Sequence, residues 1–552
     1  MKKAISIRQL FYAVWLLLSL VQAAGTELFD DEAYYWVYAK FMDWGYFDHP
    51  PMIALMIKLG TFVFAGELGV RLLVVLMGTV SIYLIEKLTQ PKDQKLFYAL
   101  VLNMAVLQIG GIIAVPDIPL LFFTALFFLA YRNYTTKNSW MSAIYLAIII
   151  ALLLYSKYHG ILLVLATVGS NWKLLKQPLT WLVIVAAIAL FMPHVLWQLQ
   201  HGLPSLNYHL FERLSPPYSI SFTTDYVFGQ LLIAGPLVGG LVIWGALKQK
   251  PSDQTQRAMK WSLVFVYLLF LISSFRSRTE ANWTIPLLVP LLVLSYHYIE
   301  LSKVLTKWVY RLLPVSLLLV LVVRLFMIID EPFINNLPKD EFHNNKAWAM
   351  GIKEKAGGLP VVFTNSYQRA SKYWFYTGDT SFSLNTYLYR RSNYNFWPIE
   401  ASLQNRKLLV VGSLGTAALP DTLNVGNKKL SIGFDEYFQS FSQIILHQPT
   451  SKITIKENTI EAVLHATAPS QKVLDNAIVH QPEIVLVVYR NNKEKPIVIP
   501  TGKRLSTKTD ERLQVKLPQL KEKKYQARWG LQGSYTEATI NSSVFTLLND
   551  PH

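Results

Sequence analysis

Leu179-Thr180-Trp181-Leu182-Val183-Ile184-Val185-Ala186-Ala187-Ile188-Ala189-Leu190-Phe191 is a run of 13 residues without a charge. Ile144–Leu154 and Val315–Val323 are also uncharged. A bilayer crossing takes about 20 mostly apolar residues, so these runs read as the centres of membrane-spanning helices. The whole chain agrees: of its 552 residues, 52% are hydrophobic and only 16% charged, where a soluble protein carries about 25% charged residues. That excludes an ordinary soluble domain and a disordered chain. There is no cysteine, which excludes disulfides, thiol catalysis and cysteine zinc sites.

Working outward from these runs, spans fall at about 8–28, 69–87, 96–114, 118–134, 140–156, 159–174, 178–195, 226–247, 260–275, 284–300 and 311–329. Alternate loops counted from the N-terminus hold 17 Lys and Arg, and the opposite loops hold 7, among them Arg71, Lys157, Arg213 and Arg278. The positive-inside rule then places the N-terminus in the cytoplasm, and an odd span count places the C-terminal part outside. The start, Met1-Lys2-Lys3 followed by Leu10–Val21, has the form of a signal peptide, with Val21–Gly25 as a cleavage-like site. It is read here as a retained first helix, because many spans follow. The expected fold is an α-helical polytopic membrane protein of about eleven transmembrane helices, in residues 1–330. A C-terminal extracytoplasmic soluble part follows near Asp330. Phe342–Ala356 and Tyr367–Tyr376 read as helices, and Val361–Thr364 and Lys407–Val411 as strands, giving an α/β region over 331–430. From there to 552 the pattern is β-rich, with strands at 453–455, 484–489, 497–499, 513–517, 525–531 and 544–547 that suit a sandwich.

The net charge of +17 would point to nucleic acid in a soluble protein. Here the membrane part contributes 25 − 16 = +9, explained by cytoplasmic loops, and residues 331–552 contribute 27 − 19 = +8, which topology does not explain. No nucleic-acid partner is expected. That second excess suits anionic headgroups or an acidic acceptor.

The unusual polar residues sit on the outside face. Asp30-Asp31-Glu32 close the first span, and acids beside hydrocarbon are functional candidates. The competing reading is a solvated loop with aromatic anchors. Pro51–Phe64 is apolar but short, and suits an interfacial helix. Asp117 is a candidate site residue or a helix N-cap. Lys157 is a phosphate partner or a snorkelling anchor, and Arg278 with Glu280 a site or an exposed ion pair. His194 and His201 are candidates for substrate contact or satisfied loop histidines. Joined by Asp48 they would offer metal-type ligands, but their spacing is not a metal signature, so no cofactor is required and a divalent metal is only an alternative.

Read together, these segments resemble the bacterial GT-C class glycosyltransferases, in the superfamily of the dolichyl-phosphate-mannose–protein mannosyltransferases and the lipid A aminoarabinose transferase. The first loop, Asp31-Glu32-Ala33-Tyr34-Tyr35-Trp36 then Gly45-Tyr46-Phe47-Asp48-His49-Pro50-Pro51, carries the resemblance. So do Val115-Pro116-Asp117-Ile118-Pro119-Leu120, Ser156-Lys157-Tyr158, Pro193-His194 with Trp197-Gln198 and His201-Gly202, Arg278 with Glu280-Ala281-Asn282-Trp283, and Tyr387–Pro398. It covers roughly residues 8–400.

The resemblance implies transfer of a sugar from a polyprenyl-phosphate donor to a lipid, glycan or protein hydroxyl on the outside of a bacterial inner membrane. It assigns Asp31 as general base with Glu32 beside it. Asp117 orients sugar or acceptor, and Lys157 and Arg278 hold phosphate. Asp48, His49, Tyr158, His194, His201, Glu280 and Asn282 contact substrate. One departure is His49, where aminoarabinose-type relatives have lysine; a neutral imidazole gives phosphate no permanent cation. The competing function is a lipid or glycolipid transporter, against which stand the absence of repeats and the placement of the ionisable groups at helix ends.

Overall fold

The computed structural model describes residues 5–549 except 209–217, 330–339, 415, 417–418, 426–427, 491–493, 507–510, 521 and 536. Arg213 and Asp330, named above, lie outside the described residues. The chain divides into two compact units, one of residues 1–205 and 215–343, the other of 206–214 and 344–552.

The first unit is helical. Its elements are α1 (Ile7–Gly25), α2 (Asp30–Lys40), α3 (Met52–Val63), α4 (Gly66–Thr89), α5 (Gln94–Asn103), α6 (Ala105–Ile109), α7 (Asp117–Lys137), α8 (Trp140–Ser156), α9 (Gly160–Ser170) and α10 (Pro178–Gln200). After a short α11 (Pro204–Asn207) come α12 (Ile220–Ala234), α13 (Gly239–Lys248), α14 (Gln254–Ser274), α15 (Leu288–Ile299) and α16 (Lys303–Ile328). Every one of the eleven expected spans falls on helix. Among the described residues five helices are long and apolar enough to cross a bilayer, or seven if each bent pair counts as one span. The count of eleven is therefore not reached by that measure. Apolar side chains such as Val185 on α10, 64% exposed, and Leu318 on α16, 59% exposed, face outward from the unit, as lipid-facing residues must.

Two spans are broken for identifiable reasons. α12 and α13 meet at 88°, where Gly235 has φ +129° and Pro236 lacks an N–H. α5 and the segment 105–112 meet at 79°. There the Asn103 side chain donates to the Ala99 and Val309 carbonyls (2.8 and 3.2 Å) and accepts from Ser316 (2.7 Å). These bonds hold the break where the regular helical ladder stops.

The second unit opens with α17 (Asn345–Ala356). β1 (Val361–Thr364), α18 (Tyr367–Thr377) and β2 (Ser381–Leu384) form a parallel βαβ unit, joined by β3 (Leu408–Ser413), β4 (Asp421–Val425) and β5 (Lys428–Asp435). The strand order is β2-β1-β3-β5-β4. The boundary expected at 430 falls inside β5, because β5 completes this sheet by antiparallel pairing with β3. β6 (Ile445–His447), β7 (Lys452–Ile455), β8 (Thr459–Thr467), α19 (Gln471–His480), β9 (Glu483–Tyr489), β10 (Ile497–Arg504), β11 (Glu511–Lys516), β12 (Lys524–Gln532), β13 (Thr539–Ile540) and β14 (Phe545–Asn549) follow. They make a sheet of order β10-β9-β12-β14-β7, with β13 on β12, and a smaller one of order β11-β8-β6. Alternating inward residues of both, Leu464, Leu486, Leu513 and Trp529 among them, share one apolar core.

Candidate active site

The first outside acids lie on a helix, not in a loop. Asp30, Asp31 and Glu32 fill the first turn of α2, where the helix dipole favours negative charge. Successive residues point about 100° apart, so Asp31 and Glu32 have different surroundings. Asp31 is half-buried, whereas Glu32 is fully buried. Glu32 accepts from Arg71 Nε (2.7 Å) and Nη2 (2.5 Å), from the Ala114 N–H (2.7 Å) and from the Phe29 N–H (2.9 Å). These are the four lone-pair sites of a carboxylate. Arg71 is committed as completely. Its remaining N–H groups reach the carbonyls of Ala23 (3.0 Å), Thr26 (2.6 Å) and Glu27 (2.9 Å). The pair ties the end of α1, the start of α2, α4 and the loop before α7 to one point. Glu32, expected beside the base as a catalytic acid, has all four of its lone-pair sites engaged by these donors. Arg71, counted earlier only among outside charges, was missed; its place beside the apolar run Leu72–Met77 of α4 was the available signal.

Asp117 is the first residue of α7 and makes no N-cap bond. Its carboxylate takes Lys157 Nζ at 2.8 Å, with both residues buried, and Asn282 Nδ2 stands 3.4 Å from the other oxygen. Three segments distant in sequence thus converge, those of Asp117, Lys157 and Asn282. Lys157 is not a snorkelling anchor, since it turns inward. One of its three N–H groups is spent on Asp117.

A second cluster holds the 44–48 loop. His194 on α10 has Nδ1 2.8 Å from the Trp44 carbonyl and Nε2 2.9 Å from the Tyr158 hydroxyl. A carbonyl only accepts, so Nδ1 carries a proton and the neutral ring accepts from Tyr158 at Nε2. Burial above all pushes the Tyr158 hydroxyl pKa up, against the bond to Ser205. Gln198 donates to Tyr158 (3.1 Å) and to Ser205 Oγ (2.8 Å), and Ser205 Oγ donates to the Phe47 carbonyl (2.8 Å). Gly45 presses on this wall, where a Cβ would lie 2.5 Å from Trp197 and 2.9 Å from His194. Asp48 follows in the loop and accepts from Tyr34 and Tyr38 at 3.3 Å each. Gln198 and Ser205 were missed as members of this network.

The remaining expected residues make further contacts. His49 packs edge-on against Tyr35, ring centres 5.6 Å apart. His201 stacks on Trp197 and bonds the Trp197 carbonyl through Nδ1 (2.9 Å). Arg278 and Glu280 pair at 3.3 Å with side chains 65% and 44% exposed, an arrangement worth little to stability. Among the described residues no three His, Asp or Glu are grouped to hold a metal ion.

The sequence profile of the dolichyl-phosphate-mannose-protein mannosyltransferase family matches residues 48–197. That stretch includes Asp48, His49, Asp117, Lys157, Tyr158 and His194. The lipid A galacturonosyltransferase RgtD of Rhizobium johnstonii is 22% identical over 290 residues, half of this chain and 61% of that protein. The chain thus spans about three fifths of the curated relative it matches. In fold it is similar to ArnT from Cupriavidus metallidurans in the apo state, with a TM-score of 0.55 at 14% identity, covering 77% of this chain and 97% of ArnT. The same protein bound to undecaprenyl phosphate gives a TM-score of 0.54. The chain thus shares the helical fold of ArnT and resembles the dolichyl-phosphate-mannose-protein mannosyltransferase family over residues 48–197.

Proposed function

We propose that this protein is a membrane glycosyltransferase that moves a sugar from a polyprenyl-phosphate carrier to an acceptor hydroxyl on the extracytoplasmic face, with Asp31 as general base. The observation that carries the assignment is the difference between two adjacent acids. Glu32 is consumed by four donors, and that fixes the turn from which the half-buried Asp31 projects. Asp31, the acid that the family resemblance assigns as base, takes the acceptor proton as the hydroxyl attacks the anomeric carbon. The Glu32 bond to Ala114 ties the same turn to the strap carrying Asp117, which with Lys157 and Asn282 supplies donors and an acceptor for a sugar or for the departing phosphate. Arg278 remains the exposed cation for that phosphate. The bound undecaprenyl phosphate of the ArnT structure supports the donor class, and the lipid A activity of RgtD supports a lipid acceptor. The N-terminus is assigned to the cytoplasm and the second unit to the periplasm on the loop-charge count.

Asp31→Asn tests this. Transfer from a polyprenyl-phosphate-linked sugar should fall by about 10²-fold or more, the usual worth of a general base, while the protein purifies and melts as wild type. Wild-type turnover in that variant would remove Asp31 from the mechanism.

A further inference from the structure

A second arginine in the helical unit is placed very differently from Arg71. Arg324 on α16 lies beside α1: Gln22 Nε2 donates to its backbone carbonyl (3.2 Å), and its Nη1 stands 3.5 Å from the Leu18 carbonyl. Leu18 precedes the end of α1 by seven residues, so the guanidinium sits about 10 Å along the helix from that end. Its Nη2 donates to the Gln108 carbonyl at the broken end of α6 (2.8 Å). Nε is buried without a partner. Two of five donors are thus used, both on carbonyls, and among the described residues no carboxylate lies within ion-pair reach. An arginine inside a membrane segment ordinarily finds a counter-charge.

The space beside it suggests what that counter-charge is. A cavity of about 400 Å³ runs between α1, α5 and α16, walled by Leu10, Val14, Leu18 and Leu313, with Gln108 and Arg324 toward one end and Lys95 toward the other. Leu10, Val14 and Leu18 are exposed on α1, so the groove opens to the surrounding lipid. A long apolar slot ending at an uncompensated guanidinium matches an acyl chain joined to a phosphate, whose oxygens accept the forked N–H pair.

We propose that this groove is a binding site for an anionic glycerophospholipid of the bilayer, with one acyl chain between α1 and α16 and the phosphate on Arg324. The polyprenyl-phosphate donor is the other anionic lipid to consider. The groove favours the phospholipid because a donor held here would lie away from every residue assigned to sugar transfer. None of the residues assigned to sugar transfer lines it. The site does not depend on the proposed activity.

The test uses full-length protein in detergent with added phosphatidylglycerol, read by native mass spectrometry. Wild type should retain one equivalent, and Arg324→Gln should bind it at least ten-fold more weakly. Dioleoylglycerol, with the same kind of chains and no phosphate, should not be retained. Because Arg324 also holds the Gln108 carbonyl, Val14→Trp provides a second variant that fills the groove and leaves the arginine; it too should lose the lipid while sugar transfer is unchanged. Equal retention by either folded variant, retention of dioleoylglycerol, or displacement of phosphatidylglycerol by stoichiometric undecaprenyl phosphate would each overturn the proposal.

Discussion

At the scale of single residues, the two arginines of the helical unit described above differ in what completes them. Arg71 has a protein acceptor for every N–H and Glu32 for its charge. Removing one partner of such a buried pair costs about 3–5 kcal/mol, because the other charge is stranded. Arg71→Met should therefore lower the melting temperature of the detergent-solubilised protein sharply. Arg71→Met combined with Glu32→Gln should cost clearly less than the two changes summed. Additive losses would mean that the two side chains do not act as one unit. Arg71→Lys should rescue little, since an ammonium cannot reproduce the fork. The sequence made the first-turn acids visible as candidates, but not that Glu32 is the one bound to Arg71. That depended on Arg71 and Ala114, 39 and 82 residues away from Glu32, and no local pattern carries such a distance.

At the scale of elements, hydropathy located helices well and their interruptions poorly. The eleven apolar stretches all became helix, yet the two right-angle breaks lay inside expected spans. Gly235-Pro236 is a break signal within the apolar stretch 226–247, hidden because hydropathy averages over it. At Gly235 the φ of +129° excludes a side chain, and a Cβ would lie 2.7 Å from Val238 and 2.9 Å from the Asn103 carbonyl. Gly235→Ala should cost about 1–3 kcal/mol of backbone strain and reduce the yield of folded protein, whereas Gly240→Ala, where a Cβ meets nothing within 4 Å, should be silent. Comparable melting of the two variants would refute the geometry of the break. In the soluble unit, β8 alternates buried and exposed residues over nine positions and was still missed. Its inward residues are Ile460, Ala462, Leu464 and Ala466, and two alanines in four weaken the period-two signal. Each strand expected from 453 onward falls on an observed one, because Val, Ile, Leu and Tyr mark them.

At the scale of the whole molecule, the two compact units answer to different solvents. The helical unit turns apolar side chains outward, and the other buries a conventional aqueous core. Urea should therefore remove β-sheet circular dichroism before helical signal in detergent, in two separate transitions; one shared transition would show the units to be energetically fused. The first transition should also depend on pH through Glu400. This carboxyl is buried, which pushes its pKa up, while bonds from Ser440, Ser442 and Gln443 pull it back. An acid whose pKa is raised in the folded state stabilises least when ionised: its unfolded form loses the proton near pH 4.3 and its folded form later. The stability difference between wild type and Glu400→Gln should thus fall as pH rises above about 4, and level off once Glu400 is ionised. A flat difference would refute the assignment. The Glu32–Arg71 junction has a further consequence, for biosynthesis. The ribosome delivers Glu32 first, Arg71 39 residues later and Ala114 82 residues later. Until residue 114 has been made, the leading helices lack one of the four donors that complete their junction at Glu32. The earliest stage at which they can settle is thus set by the length of nascent chain, not by the hydrophobicity of any one segment.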